Sequence, residues 1–292
     1  MSLSYLHIII PQGNPNQKKL ESKFQELLLS LWNTVHGERV SFEYVGVNQY
    51  TYFFIIVPKE LLETIEGLIY TSFPDAEVRI QDQDYTAGID PKKHGIAGAL
   101  MTLHHSDVYP IQTYDLFEED SSARFFSTIS KIGTGEQMWV QFVAEPQEDS
   151  SWYHFMRKVA HWKANLHHFF SIKDRVREGG RAGVTERRHD AAHMKSEVKP
   201  YNVTIRCIAV AKDATIAARK LEAITACFGQ FRDPDINEFH MHREKNSEAF
   251  LAEFRERRLS NSALLSAKEL ATLYHFPNAD ESPHVVHVLA RR

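Results

Sequence analysis

The strongest constraint on this chain is the order of apolar patterns in residues 1–86. Leu6-His7-Ile8-Ile9-Ile10 is an apolar run ended by Pro11, the pattern of a strand buried on both faces. After the turn residues Asn14-Pro15-Asn16, Leu20, Phe24, Leu27, Leu28, Leu31 and Val35 recur at helical spacing up to Gly37. Val40, Phe42 and Tyr44 alternate with Ser41 and Glu43, as in a half-buried strand. Asn48-Gln49 marks a tight turn, and Tyr50 to Val57 is again apolar on both faces. Pro58 opens a second helix with Leu61, Leu62, Ile65, Leu68, Ile69 and Phe73 inward, and Glu77-Val78-Arg79-Ile80 alternates once more. The order β-α-β-β-α-β predicts a ferredoxin-like unit. Strands one and three are expected at its centre, with strands two and four at its edges.

Residues 87–98 carry Gly88, Pro91, Gly95 and Gly98 and read as a linker within a polar stretch that begins near residue 82. Residues 99–259 read as a second α+β unit. Its strands are expected at 99–113, Gln137–Ala144, Tyr201–Val210 and Phe239–His242. Its helices are expected at 120–132, 214–228 and 246–257, with a long helical insertion at about 150–198. Residues 260–292 read as a capped helix and tail. The second half resembles a divergent copy of the first, without a residue-level repeat.

With 292 residues, 43% hydrophobic and 25% charged, the chain is long enough for one large or two modest domains. The net charge of −4 argues against a generic DNA-coating protein. Two cysteines cannot build a disulfide framework, which favours a reducing, cytoplasmic setting. No apolar run reaches the roughly 20 residues of a membrane helix, and the first residues lack the basic region of a secretory signal. Neither GxxxxGK[ST] nor GxGxxG occurs, so the expectation is a chain that is not an enzyme and takes no cofactor.

Sixteen histidines invite a metal reading. His189 and His193 stand at helical i, i+4 spacing, His240 and His242 share one side of a strand, and His104-His105 and His167-His168 are adjacent pairs. No third ligand can be named for His189 and His193, so no metal site is predicted, and a His-rich metal-binding protein is kept as the third functional alternative. Residues 173–199 hold eight basic and five acidic residues. Arg175, Arg177, Arg181, Arg187, Arg188 and Lys195 are the candidate phosphate contacts, against the alternative of a solvated connection with internal ion pairs. Cys207 and Cys227 fall on apolar faces and read as small core residues. Near the C-terminal end, Ser266 and Glu269 form an S-x-x-E capping box. Leu270, Leu273 and Tyr274 line the inner face of the short helix that follows, and Pro277 stops it.

The segment LLSAKELATLYHFPN at 264–278 resembles the short helix that precedes the ATPase domain in conjugative, type IV secretion ATPases of the HerA/FtsK superfamily. YFFIIVPKELLETIEGLIYTSFPDAEV and YNVTIRCIAVAKDATIAARKLEAITACFGQF are similar to parts of the same N-terminal region, particularly in reduced-genome bacterial lineages. In those proteins a Walker A loop, a Walker B acid and the catalytic core come after this region. Here fifteen residues follow Pro277, so no catalytic residue carries over. The resemblance implies a non-catalytic assembly module whose partners are a P-loop ATPase domain or subunit, copies of itself, DNA, or a membrane-associated complex. Leu270, Leu273, His275, Phe276 and Pro277 are the expected partner-docking residues.

Overall fold

The computed structural model describes residues 2–12, 20–147, 199–277 and 287–289. Within them the first unit runs β1 (Leu3–Gln12), α1 (Leu20–Thr34), β2 (Val40–Val47), β3 (Tyr50–Pro58), α2 (Leu62–Ser72) and β4 (Glu77–Gln81). The strands lie in the order β4-β1-β3-β2, every pair antiparallel. That is the ferredoxin-like arrangement. Asn48 and Gln49 take φ of 52° and 72°, the two positive values that a two-residue primed hairpin turn needs.

The second unit repeats the plan with β5 (Gly95–Leu103), α3 (Ala123–Ile129), β6 (Gln137–Pro146), β7 (Pro200–Ala211), α4 (Ala214–Ala226) and β8 (Phe239–Arg243). Its order, β8-β5-β7-β6, is the same. The protein is α+β, built on two ferredoxin-like units. The residues from about 150 that read as a long helix lie outside the described ones. They fall in the β6–β7 connection, where the first unit spends two residues.

Two expectations need correcting. β2 is not an edge strand: it pairs antiparallel with β6 from Val40↔Ala144 to Val47↔Gln137, fusing the units into one sheet. The linker expected at 87–98 ends earlier, because Gly95–Leu103 is already strand. Residues 82–94 pack down, with Thr86 and Ile89 buried.

Three elements follow the second unit on one connected path: α5 (Ser247–Arg255), β9 (Ala263–Ser266) and α6 (Ala267–Leu273). β9 pairs antiparallel with Pro200–Val203 of β7. A short β10 (His287–Leu289) lies parallel to Ile10–Gln12 of β1. Among the described residues no helix is long and apolar enough to cross a membrane.

The sheet buries both faces. On one face α1 to α4 and α6 cover the larger core. On the other, α5 and residues 82–94 cover a smaller one centred on Trp139, Phe250 and Phe254. Fusing two units side by side leaves a seam in the helix layer above β2 and β6, and the C-terminal segment fills it. Tyr274 stacks on Tyr44 of β2 at 4.6 Å between ring centroids. It also meets Phe24 of α1 at 5.2 Å and Phe142 of β6 at 6.1 Å. Phe276 sits edge-on to Phe24, Phe53 and Phe73. Each such ring contributes about 1.5–3 kcal/mol by burial.

The expected docking surface is therefore internal. Leu270, Leu273, His275, Phe276 and Pro277 are all buried, so they dock on this chain's own core and are not presented to a partner in this fold. The Ser266–Glu269 capping box is formed, with both reciprocal bonds present. Ser266→Ala is expected to cost about 1 kcal/mol, read as a lower urea midpoint with an unchanged slope.

Candidate functional site

Three polar centres stand out against this frame. The first holds α6 in the seam. Residues 111–122 cross over the helix and hydrogen-bond to it in sequence. The Ile111 amide donates to Glu269 Oε1 at 3.1 Å, and the Tyr114 amide to Thr272 Oγ1 at 3.0 Å. Ser121 Oγ donates to the Thr272 carbonyl at 2.8 Å. His275 closes the series, with Nδ1 2.9 Å from the Ala271 carbonyl and Nε2 2.9 Å from Asp120 Oδ1. A carbonyl only accepts, so Nδ1 carries a proton. The His275 backbone is fixed too, its amide donating to Tyr44 Oη at 3.0 Å and its carbonyl accepting from the same hydroxyl at 3.1 Å.

The electrostatics of this pair follow from the geometry. Burial alone would lower the His275 pKa. The Asp120 charge and hydrogen bond, with Glu21 and the Ala271 carbonyl, outweigh that and raise it. Burial would raise Asp120, but the His275 charge and the bonds from His275 and Ser122 hold it down to about 2. Glu21, Asp120 and His275 have the composition of a metal-binding group. Both imidazole nitrogens already serve Ala271 and Asp120, so the arrangement is a buried ion pair that locks a helix.

The second centre lies on the opposite face, beneath α5. Glu43 is fully buried in β2. Its Oε1 accepts from Ser41 Oγ at 2.6 Å, Gln141 Nε2 at 2.9 Å and Arg257 Nε at 3.0 Å. Its Oε2 accepts from Tyr85 Oη at 2.5 Å and Arg257 Nη2 at 3.1 Å. Arg257 also donates to Asp84 and to the Arg255 carbonyl. Arg206 extends the network through Gln141 at 3.1 Å and the Arg258 carbonyl at 2.6 Å. Burial pulls the Arg206 pKa down to about 10, with Glu253 opposing.

Arg257 reaches this position because the chain breaks sharply after α5. The Arg258 amide donates to the Glu253 carbonyl and the Arg257 amide to the Phe254 carbonyl, each at 3.1 Å. This is the helix-ending motif that usually holds glycine in the left-handed slot. Here Arg257 occupies it at φ 47°. A cleft of about 410 Å³ opens beside the network, lined in part by Tyr5, Arg39, Ser41, Arg255 and Arg257. Arg255 is bound to the Thr86 and Ile89 carbonyls and Arg257 to carboxylates. Apart from the buried Arg206 Nε, which has no partner, the donors and acceptors described for Glu43, Arg257 and Arg206 are spent within this centre, so its chemistry is to bind α5 and residues 82–94 onto the sheet.

The third centre is exposed. His104 after β5 and His240 on β8 stack at 4.3 Å, with Glu238 beside them. In the sequence these histidines fall into separate pairs, and only the strand register brings them together.

The model of a family described as a domain of unknown function, DUF8128, matches residues 20–286. The chain belongs to this family. The DUF8128 match runs from α1 through both units and the seam-filling helix. No curated protein matches the chain. Of the predicted nucleic-acid contacts, Arg175, Arg177, Arg181, Arg187, Arg188 and Lys195 lie outside the described residues, as do His167, His168, His189 and His193. Cys207 and Cys227 are buried free thiols, and burial raises both pKa values, which leaves them unreactive.

Proposed function

We propose that this DUF8128 chain is a non-catalytic assembly module of a conjugation-type, type IV secretion-like DNA-translocation machine in the bacterial cytoplasm, working with a P-loop ATPase as a subunit or a neighbouring domain. One observation carries the reading. The segment that most resembles the pre-ATPase helix, residues 264–277, is the piece that fills the seam between the two units. A helix fixed by a capping box, three hydrogen bonds from residues 111–121 and a buried ion pair gives the chain leaving Pro277 a rigid base. The partner surface must then lie outside the five buried residues first expected to dock. The test is co-expression with a P-loop ATPase encoded at the same locus. Co-elution at fixed stoichiometry is expected, and separate elution at micromolar concentrations would count against the reading.

A nucleic-acid module is the second reading. It is favoured by where the basic residues fall: 173–199 lies in the β6–β7 connection, the counterpart of a two-residue turn in the first unit. Fluorescence anisotropy against salt tests it. Binding to DNA should weaken as salt rises, and an Arg187→Ala/Arg188→Ala double variant should bind less and show a salt slope smaller by about 2. Undetectable binding at low salt would remove this reading.

A further inference from the structure

We propose that His104, Glu238 and His240 form a three-ligand site for a transition-metal ion, with zinc as the best fit. The inference rests on strand register and is independent of the assembly reading. β5 and β8 pair antiparallel with Leu103 opposite Phe239, and the His104 amide donates to the Glu238 carbonyl at 2.8 Å. His104 therefore stands opposite Glu238. His240 follows Glu238 by two residues, so both leave the same face of the sheet, as does His104 from the neighbouring strand.

The side chains converge accordingly. The two imidazoles stack with 18° between their planes. Glu238 Oε1 is 3.8 Å from His240 Nε2. One donor atom from each of the three residues lies within 4.8 Å of the other two. Donors on a tetrahedral zinc stand about 3.3 Å apart, so small rotations of these side chains close the set. Two imidazoles and a carboxylate are a donor set that zinc accepts with its fourth position left to water or a ligand.

The surroundings pre-orient the ligands. Arg232 Nε holds the other Glu238 oxygen at 2.7 Å, which leaves Oε1 on the His240 side. The buried Asn237 accepts from the His105 amide at 2.9 Å and the Glu238 amide at 3.0 Å, and donates to the Tyr109 carbonyl at 2.8 Å. It ties the turn after β5 to the start of β8. Partners of this kind fix ligand geometry and tune affinity. His242, although on the same face, bonds to Thr102 Oγ1 at 2.9 Å and is assigned no ligand role.

The test is titration of the untagged protein with Co²⁺, followed by visible absorption, and then displacement by Zn²⁺. One saturable site is expected. His104→Ala, His240→Ala and Glu238→Gln should each weaken Zn²⁺ binding by more than about 10-fold. Their circular dichroism should match the parent, because these side chains are not part of either core. A His189→Ala/His193→Ala double variant should bind like the parent. The proposal is overturned if the parent shows no saturable Zn²⁺ binding, or if binding survives unchanged in the three variants.

Discussion

Arg257→Ala is expected to lower the unfolding free energy by about 3–5 kcal/mol, the usual cost of removing one partner from a buried ion pair. The guanidinium is almost fully buried and bridges Glu43 and Asp84. Without it, the buried Glu43 carboxylate keeps only Ser41, Gln141 and Tyr85 as neutral donors. Left-handed backbone costs a non-glycine residue about 1–2 kcal/mol, so Arg257→Gly should recover part of the loss but stay well below the parent. An Arg257→Ala/Glu43→Gln pair should be less destabilising than the sum of its singles, because the two side chains share one interaction. Urea denaturation of the parent and the four variants measures all of this. A loss below about 1 kcal/mol for Arg257→Ala would mean that the network does not hold α5 in place.

The second large effect is tied to pH. His275→Gln removes the cation that partners Asp120. Asp120 is held at about 2, below its ordinary 3.8, and its share of the stability is present above the unfolded value and lost as pH falls toward 2. His275 has a raised pKa, so its share is full below about 6.5 and is lost as pH rises through the folded value. The stability difference between parent and His275→Gln should therefore peak between about pH 4 and 6.5. There it should reach about 2 kcal/mol, judged from the Asp120 shift, and it should shrink on either side. Denaturation midpoints at a series of pH values check this. A difference that stays flat from acid to alkaline pH would rule out an ionised pair.

The first unit was legible because its signals are local. Apolar runs at β1 and β3, helical spacing in α1 and the Asn48-Gln49 turn each depend on residues within one element. The second unit was harder to read because the β6–β7 connection carries the segment from about 150 and hides the hairpin. β2 misled for a definite reason. Alternation of Val40, Phe42 and Tyr44 with Ser41 and Glu43 is the usual mark of a strand with one wet face, yet Ser41 and Glu43 are both buried. Their partners, Gln141, Tyr85 and Arg257, come from 42 to 214 residues away from Glu43 along the chain. No periodicity reports a donor that distant. The same holds for His104 and His240, which only the β5–β8 register joins.

By itself the sequence determined the elements of the first unit, their ferredoxin-like order and the capping box that starts α6. Those are properties of short stretches, set by backbone preference and by which face is apolar. The tertiary structure decided that two units share one sheet through β2 and β6, and that Tyr274 and Phe276 fill the seam this creates. It also decided which buried charges meet. Edge pairing, seam filling and ion pairing are contacts between surfaces far apart along the chain, and their free energy exists only once both sides are folded.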